Sequence, residues 1–240
     1  MLKDDVANKI LEWYIRFDLF VGFIAGTGAT MGKEWFDAQY RYYSRQARDN
    51  PADLGYKWDE RNASERLLAK DVALLFAKKT KGLIDDAEFT IGASDLSRRF
   101  AAWYREMPPA LLDPSKVFKD LSRDKSPVFA KTNADMEAEA VVVYGDDLWH
   151  SNHMLAHFWG VELMFNHQLA MMQHRPAPPD VATMALKLCQ MFEAVESHDP
   201  TPGALLGLHA TLAMASIFLS RVPELTMWFR RKQVIVEAAG

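Results

Sequence analysis

Residues 6–24 read Val6-Ala7-Asn8-Lys9-Ile10-Leu11-Glu12-Trp13-Tyr14-Ile15-Arg16-Phe17-Asp18-Leu19-Phe20-Val21-Gly22-Phe23-Ile24. Val6, Ile10, Trp13 and Phe17 stand four, three and four residues apart, and Phe20 and Ile24 continue the stripe. An α-helix turns once in about 3.6 residues, so this spacing lines one face and predicts a helix over residues 3–24. Gly26, Gly28 and Gly32 interrupt the period. Trp35, Phe36, Tyr40 and Tyr43 resume it over residues 33–47, and Asn50-Pro51 stops it.

The same period recurs along the chain. Residues 53–61 are predicted as a polar loop around Trp58. Asn62, with Glu65 three residues on, resembles a capping box opening a helix through Leu67, Leu68, Val72, Leu75 and Phe76 to Gly82. Lys78, Lys79 and Lys81 suit the negative end of that helix dipole. Ser94 is predicted to cap a helix through Met107, closed by Pro108-Pro109. Residues 135–174 are again helical, with a break at Gly145, and Asp180 caps a helix to about Ser197. An uncharged helix over residues 203–220 follows a Pro-Gly turn, and Pro223 opens a last helix at the position proline suits best.

Val141-Val142-Val143-Tyr144 is the one good β run, and a lone strand makes no sheet. The expected fold is all-α: a single helical domain over residues 1–240 with about eight to ten helices. Residues 111–133, broken by Pro114 and Pro127 and lacking a period, are expected to be its mobile segment.

Composition sets further bounds. The 240 residues imply a folded surface of roughly 11,000 Å² against about 40,000 Å² unfolded, enough for one large core or two small ones. Hydrophobic residues at 49 % and charged residues at 25 % exclude disorder of the whole chain. A formal net charge of −4 argues against direct nucleic-acid contact. The one cysteine, Cys189, excludes an intramolecular disulfide framework and a four-cysteine zinc site. Residues 1–9 carry Asp4 and Asp5 and no apolar run, unlike a secretory leader. Residues 203–220 hold His209, Thr211, Ser216 and two glycines. They fall short of the ~20 predominantly apolar residues of a membrane span, so no membrane contact is expected.

Several motifs invite chemistry. Gly26-Thr27-Gly28-Ala29-Thr30-Met31-Gly32-Lys33 resembles a phosphate loop, but Thr27 stands where the first Gly belongs and Glu34 follows the lysine. A turn with a close helix contact is expected there. His150, His153 and His157 share a helix face, the alternative on which the chain would be a metal-binding protein or enzyme. No His-Glu-x-x-His signature and no pair of Glu-x-x-His motifs supports it. Asp85-Asp86 and Asp146-Asp147 lack the continuation of magnesium-binding aspartate motifs. Arg41, Arg45 and Arg48 share a face that reads as solvated, and Cys189 lies on an apolar stretch with no base in view. No catalytic residue and no cofactor is expected. Met154, Phe158, Trp159, Met164, Met191, Phe192, Met214 and Phe218 crowd the C-terminal half. Flexible thioethers beside aromatics make an adaptable wall, a candidate pocket for a small hydrophobic effector.

Two stretches carry a family resemblance. Near the start stands Trp13-Tyr14-Ile15-Arg16-Phe17-Asp18-Leu19-Phe20, followed by Gly22 and Gly26. At the end stands Ala215-Ser216-Ile217-Phe218-Leu219, then Pro223, then Met227-Trp228-Phe229-Arg230-Arg231-Lys232, with Glu237 and Gly240. Together they resemble the regulatory (middle homology) region of fungal zinc-cluster transcription factors. The resemblance implies a helical regulatory domain in the nucleus, acting through transcriptional co-regulator proteins, a small-molecule effector or a homodimer. It also implies that zinc belongs to a separate N-terminal six-cysteine cluster, which this sequence lacks.

The matched residues read as fold determinants. Arg16 and Asp18 are expected to find partners on other helices, and Trp228 and Phe229 to anchor the last helix. Arg230, Arg231 and Lys232 are expected to lay their stems on apolar surface with their heads in water. A purely structural dimerisation module is the remaining alternative.

Overall fold

The computed structural model describes residues 5–25, 28–118, 126–130, 141–176, 178–198, 202–219 and 223–239. The fold is all-α: nine α-helices and short 3-10 turns account for its elements among the described residues. Contacts group the chain into two compact units, Met1–Leu111 and Leu112–Gly240.

The first unit holds α1 (Asp5–Ala25), α2 (Lys33–Asp49), α3 (Leu54–Thr80) and α4 (Asp86–Arg105). The 27-residue α3 is its axis, packed against the other three helices. It begins well before Asn62, so the expected loop over residues 53–61 is helix. Asp53 caps it, its carboxylate accepting the backbone N–H groups of Gly55 and Tyr56. The stretch reads as a loop because the buried face of α3 is itself charged: Glu60, Arg61, Glu65, Arg66 and Lys70 all lie in the interior. Likewise α4 starts at Asp86 rather than after Ser94. Asp85 and Glu88 form a reciprocal capping box, with bonds of 2.8 and 3.1 Å.

On α1 the expected stripe faces the wrong way. Ile15, Asp18, Leu19 and Gly22 face the interior, while Ile10, Trp13 and Phe17 are exposed. The side chains of Val6, Phe20 and Ile24 lie outside the described residues.

The second unit holds α5 (Pro127–Ala130), α6 (Trp149–Met172), α7 (Pro179–His198), α8 (Pro202–Leu219) and α9 (Pro223–Ala239). Its core is the meeting of α6, α7 and α8, with α9 laid against α8. Gly160 lets α6 approach α8: a Cβ there would stand 3.0 Å from the Thr211 methyl. The β run survives as extended chain, joined to Val117 by an isolated antiparallel bridge at Tyr144. Asn152 holds it, accepting the Tyr144 N–H and donating to the Tyr144 carbonyl, both at 2.8 Å. Within the expected mobile segment, residues 114–116 form a 3-10 turn and residues 127–130 are α5, while 119–125 and 131–133 lie outside the described residues. Residues 135–140, expected to be helical, also lie outside. No helix among the described residues is long and apolar enough to cross a membrane.

Candidate functional site

The glycine-rich loop resolves into a packed turn. Gly28 takes φ +80°, a left-handed conformation that favours glycine. Residues 28 and 29 press on α1 so closely that a Cβ at Gly22 would lie 2.8 Å from backbone. Asp18 accepts the N–H groups of Thr30 and Met31 at 2.8 and 3.0 Å. Its hydrogen bonds among the described residues thus come from loop amides rather than from a side chain on another helix. Lys70 donates to the Ala29 carbonyl at 2.7 Å and stands 5.6 Å from the Phe36 ring centre. Lys33 is engaged by Asp71. The groups a phosphate would need are used in holding the turn. On α1, Arg16 is felt by charges of α3: burial and then Arg66 lower its pKa, while Glu65 and Asp59, with Glu12 of α1, oppose the fall.

The closing motif divides. Trp228, 4 % exposed, donates its indole N–H to Glu193 on α7 at 2.6 Å. Lys232 is buried, contrary to the expectation of a solvated head. Its ammonium lies 2.9 Å from Glu193, pairs with Glu196 and stands 5.4 Å from the Trp228 ring centre. The clamp ties α9 to α7. Arg230, Arg231 and Glu237 are exposed.

Of the three histidines expected to share a face of α6, His153 lies 3.1 Å from the Ala204 carbonyl, His150 is exposed and His157 is half-buried. No group of three or more His, Cys, Asp or Glu placed to hold a metal occurs among the described residues. Cys189 is fully buried, and burial followed by Glu193 pushes its thiol well above the ordinary range, which makes it a poor nucleophile.

The methionine-aromatic set falls on α6 (Met154, Phe158, Trp159, Met164), α7 (Met191, Phe192) and α8 (Met214, Phe218). Six of these are core side chains, while Trp159 and Phe218 are half-buried. The Phe218 ring meets His167 edge-on at 4.8 Å. These residues form the packed interior of the second unit.

A cleft of about 250 Å³ lies in the first unit, where sequence spacing points to nothing. Arg61, Ser64, Leu67 and Leu68 of α3 line one side, and Arg99, Ala102 and Trp103 of α4 the other. Tyr40 of α2 and Glu106 complete it. Its base is apolar: Leu68 and Trp103 are each 3 % exposed. The Trp103 indole donates to the Arg61 carbonyl at 3.3 Å, joining α4 to α3. Glu60 takes Nε and Nη2 of Arg61 at 2.5 and 2.6 Å. Burial pulls the Arg61 pKa down, but Glu60, then Tyr40 and Glu106, raise it overall, so the group stays charged. Arg99 is drawn to Asp71 at 2.7 Å. Arg61 Nη1 and the hydroxyls of Tyr40 and Ser64 take no hydrogen-bond partner among the described residues. Small-molecule sites combine apolar surface with convergent polar groups, and this lining supplies both, the polar groups predominating.

Deeper in the same unit, Glu12 accepts from Tyr43 at 2.8 Å and from Arg66 at 3.5 Å, and Arg66 donates to Gln39 at 3.1 Å. Glu65 lies beside this network. Burial raises its carboxyl pKa, and Arg66 and Arg16 offset only part of the rise, leaving it at about 7. No family model, curated protein or solved structure matches this chain.

Proposed function

We propose that this chain is the effector-responsive regulatory domain of a fungal transcription factor, acting in the nucleus through conformational switching and a co-regulator protein. One observation carries the proposal: the residues that bear the family resemblance serve two separate purposes. Ile15, Asp18, Leu19, Trp228, Phe229 and Lys232 are interior groups that hold helices together. Trp13, Tyr14 and Phe17 hold nothing inside; they are 69 %, 47 % and 55 % exposed, and the Trp13 and Phe17 rings stack at 5.9 Å.

Ile10 and Val21, also exposed, extend that apolar surface along α1. Contiguous exposed apolar surface rimmed by polar groups marks an interaction site. The alternation of four and three from Val6 to Ile24 is the spacing that seats one helix against another. A partner helix is the surface that fits it. Coupling to an effector requires an affinity difference of a few kcal/mol between two packings.

Fusing the chain to an unrelated DNA-binding module in a fungal host tests the proposal. Reporter output is expected to move about tenfold from that of the module alone, an effective bias of ~1.4 kcal/mol. Output equal to that of the module alone contradicts it.

A further inference from the structure

We infer that the cleft between α3 and α4 is a binding site for a small monocarboxylate with an apolar body, held by Arg61, Ser64 and Tyr40 over Leu67, Leu68 and Trp103. The inference deepens the regulatory proposal and rests on it only for the ligand's role as effector.

Three features select the ligand's chemistry. The cleft of about 250 Å³ lies just below the ~300–1,000 Å³ typical of drug-sized sites, so its occupant is a small metabolite. The part-exposed Leu67 and Ala102 give a hydrocarbon or aromatic body apolar contact, above the buried Leu68 and Trp103. The polar atoms set the head group. Glu60 already occupies two donors of Arg61, leaving Nη1, while the Ser64 and Tyr40 hydroxyls donate as readily as they accept.

The two Nη1 N–H groups of Arg61, with the two hydroxyls, match the two oxygens of a single carboxylate. A phosphate or dicarboxylate fits poorly, because Glu106 belongs to the same lining and repels further negative charge. The Arg99 guanidinium, though drawn to Asp71, adds positive potential on the α4 side.

Calorimetric titration of the full chain with benzoate, phenylacetate and hexanoate, and with benzamide as the neutral control, tests the site. At least one carboxylate is expected to bind saturably, and benzamide about tenfold or more weaker than benzoate. Arg61→Met removes the anchor and is expected to abolish binding. Because Arg61 also pairs with Glu60, Ser64→Ala is the second variant; it is expected to keep the melting temperature and weaken the carboxylate by about tenfold. Binding by none of the three acids, equal binding of benzamide, or binding indifferent to both variants overturns the inference. An inert reporter fusion would overturn the regulatory proposal and leave the titration standing.

Discussion

Replacing Trp228 by alanine is expected to destabilise the second unit by ~3–5 kcal/mol, the range for deleting a buried large aromatic. The side chain is 4 % exposed, packs edge-on against Phe192 at 6.3 Å and Phe229 at 5.1 Å, and donates to Glu193. Alanine removes the packing and the donor together. Trp228→Phe separates them: it keeps most of the apolar contact and loses the bond to a charged acceptor, at a cost of about 1.5–3 kcal/mol. Lys232 remains to compensate Glu193 and Glu196 in both variants. Urea denaturation of the two variants checks the order. A change within about 0.5 kcal/mol for Trp228→Ala, as at an exposed site, would contradict the burial of the closing motif.

A pH-dependent gain of on the order of 3 kcal/mol is expected from Glu65→Gln, from a carboxyl pKa raised from 4.5 to about 7 in the folded chain. Between those two values the unfolded chain has released the Glu65 proton and the folded chain retains it. The native state then binds more protons, so stability falls as pH rises through that window and levels off above it. Glutamine keeps the shape of the neutral acid and has no proton to lose. Wild type and variant should therefore match near pH 4.5 and diverge up to about pH 7, with the variant more stable. Glu162, raised to about 7 by burial and then by Asp180, acts in the same direction in both proteins and cancels in the difference. A difference constant from pH 4.5 to 8 would show that Glu65 ionises freely.

Sequence made the helices visible wherever backbone chemistry punctuates them. Asn50-Pro51, Gly82, Pro108-Pro109 and Pro223 mark ends or starts that the structure keeps. It failed where the interior is polar. The first two turns of α3 hold Tyr56, Lys57, Trp58, Asp59 and Glu60, which a hydrophobic pattern scores as loop; the Asp53 cap, with its carboxylate two residues ahead of Gly55, was the available signal. The sense of α1 was hidden for a related reason. Two stripes run along that helix, and the one that packs inward contains a glycine and a carboxylate, Gly22 and Asp18, chosen for a close turn rather than for apolar area.

The cleft was not legible at all. Tyr40, Arg61, Ser64 and Trp103 come from three helices, and only tertiary packing assembles them. By contrast, Met154, Met191 and Met214 were conspicuous as a composition bias, and they lie fully inside the second unit. Composition reports what is available to fill a core, while a site depends on what the core leaves open.

The division of the resembling residues into inward and outward sets is tested most directly by the double variant Trp13→Gln, Phe17→Gln, read for thermal stability, sedimentation and reporter output. The account predicts stability within about 0.5 kcal/mol per site, as for surface positions, and output reduced to that of the DNA-binding module alone. Loss of a dimer in sedimentation would identify the partner helix as a second copy of α1. Full reporter output from the double variant, or a loss of more than ~2 kcal/mol in stability, would contradict it, since the aromatics would then be idle or packed within this chain.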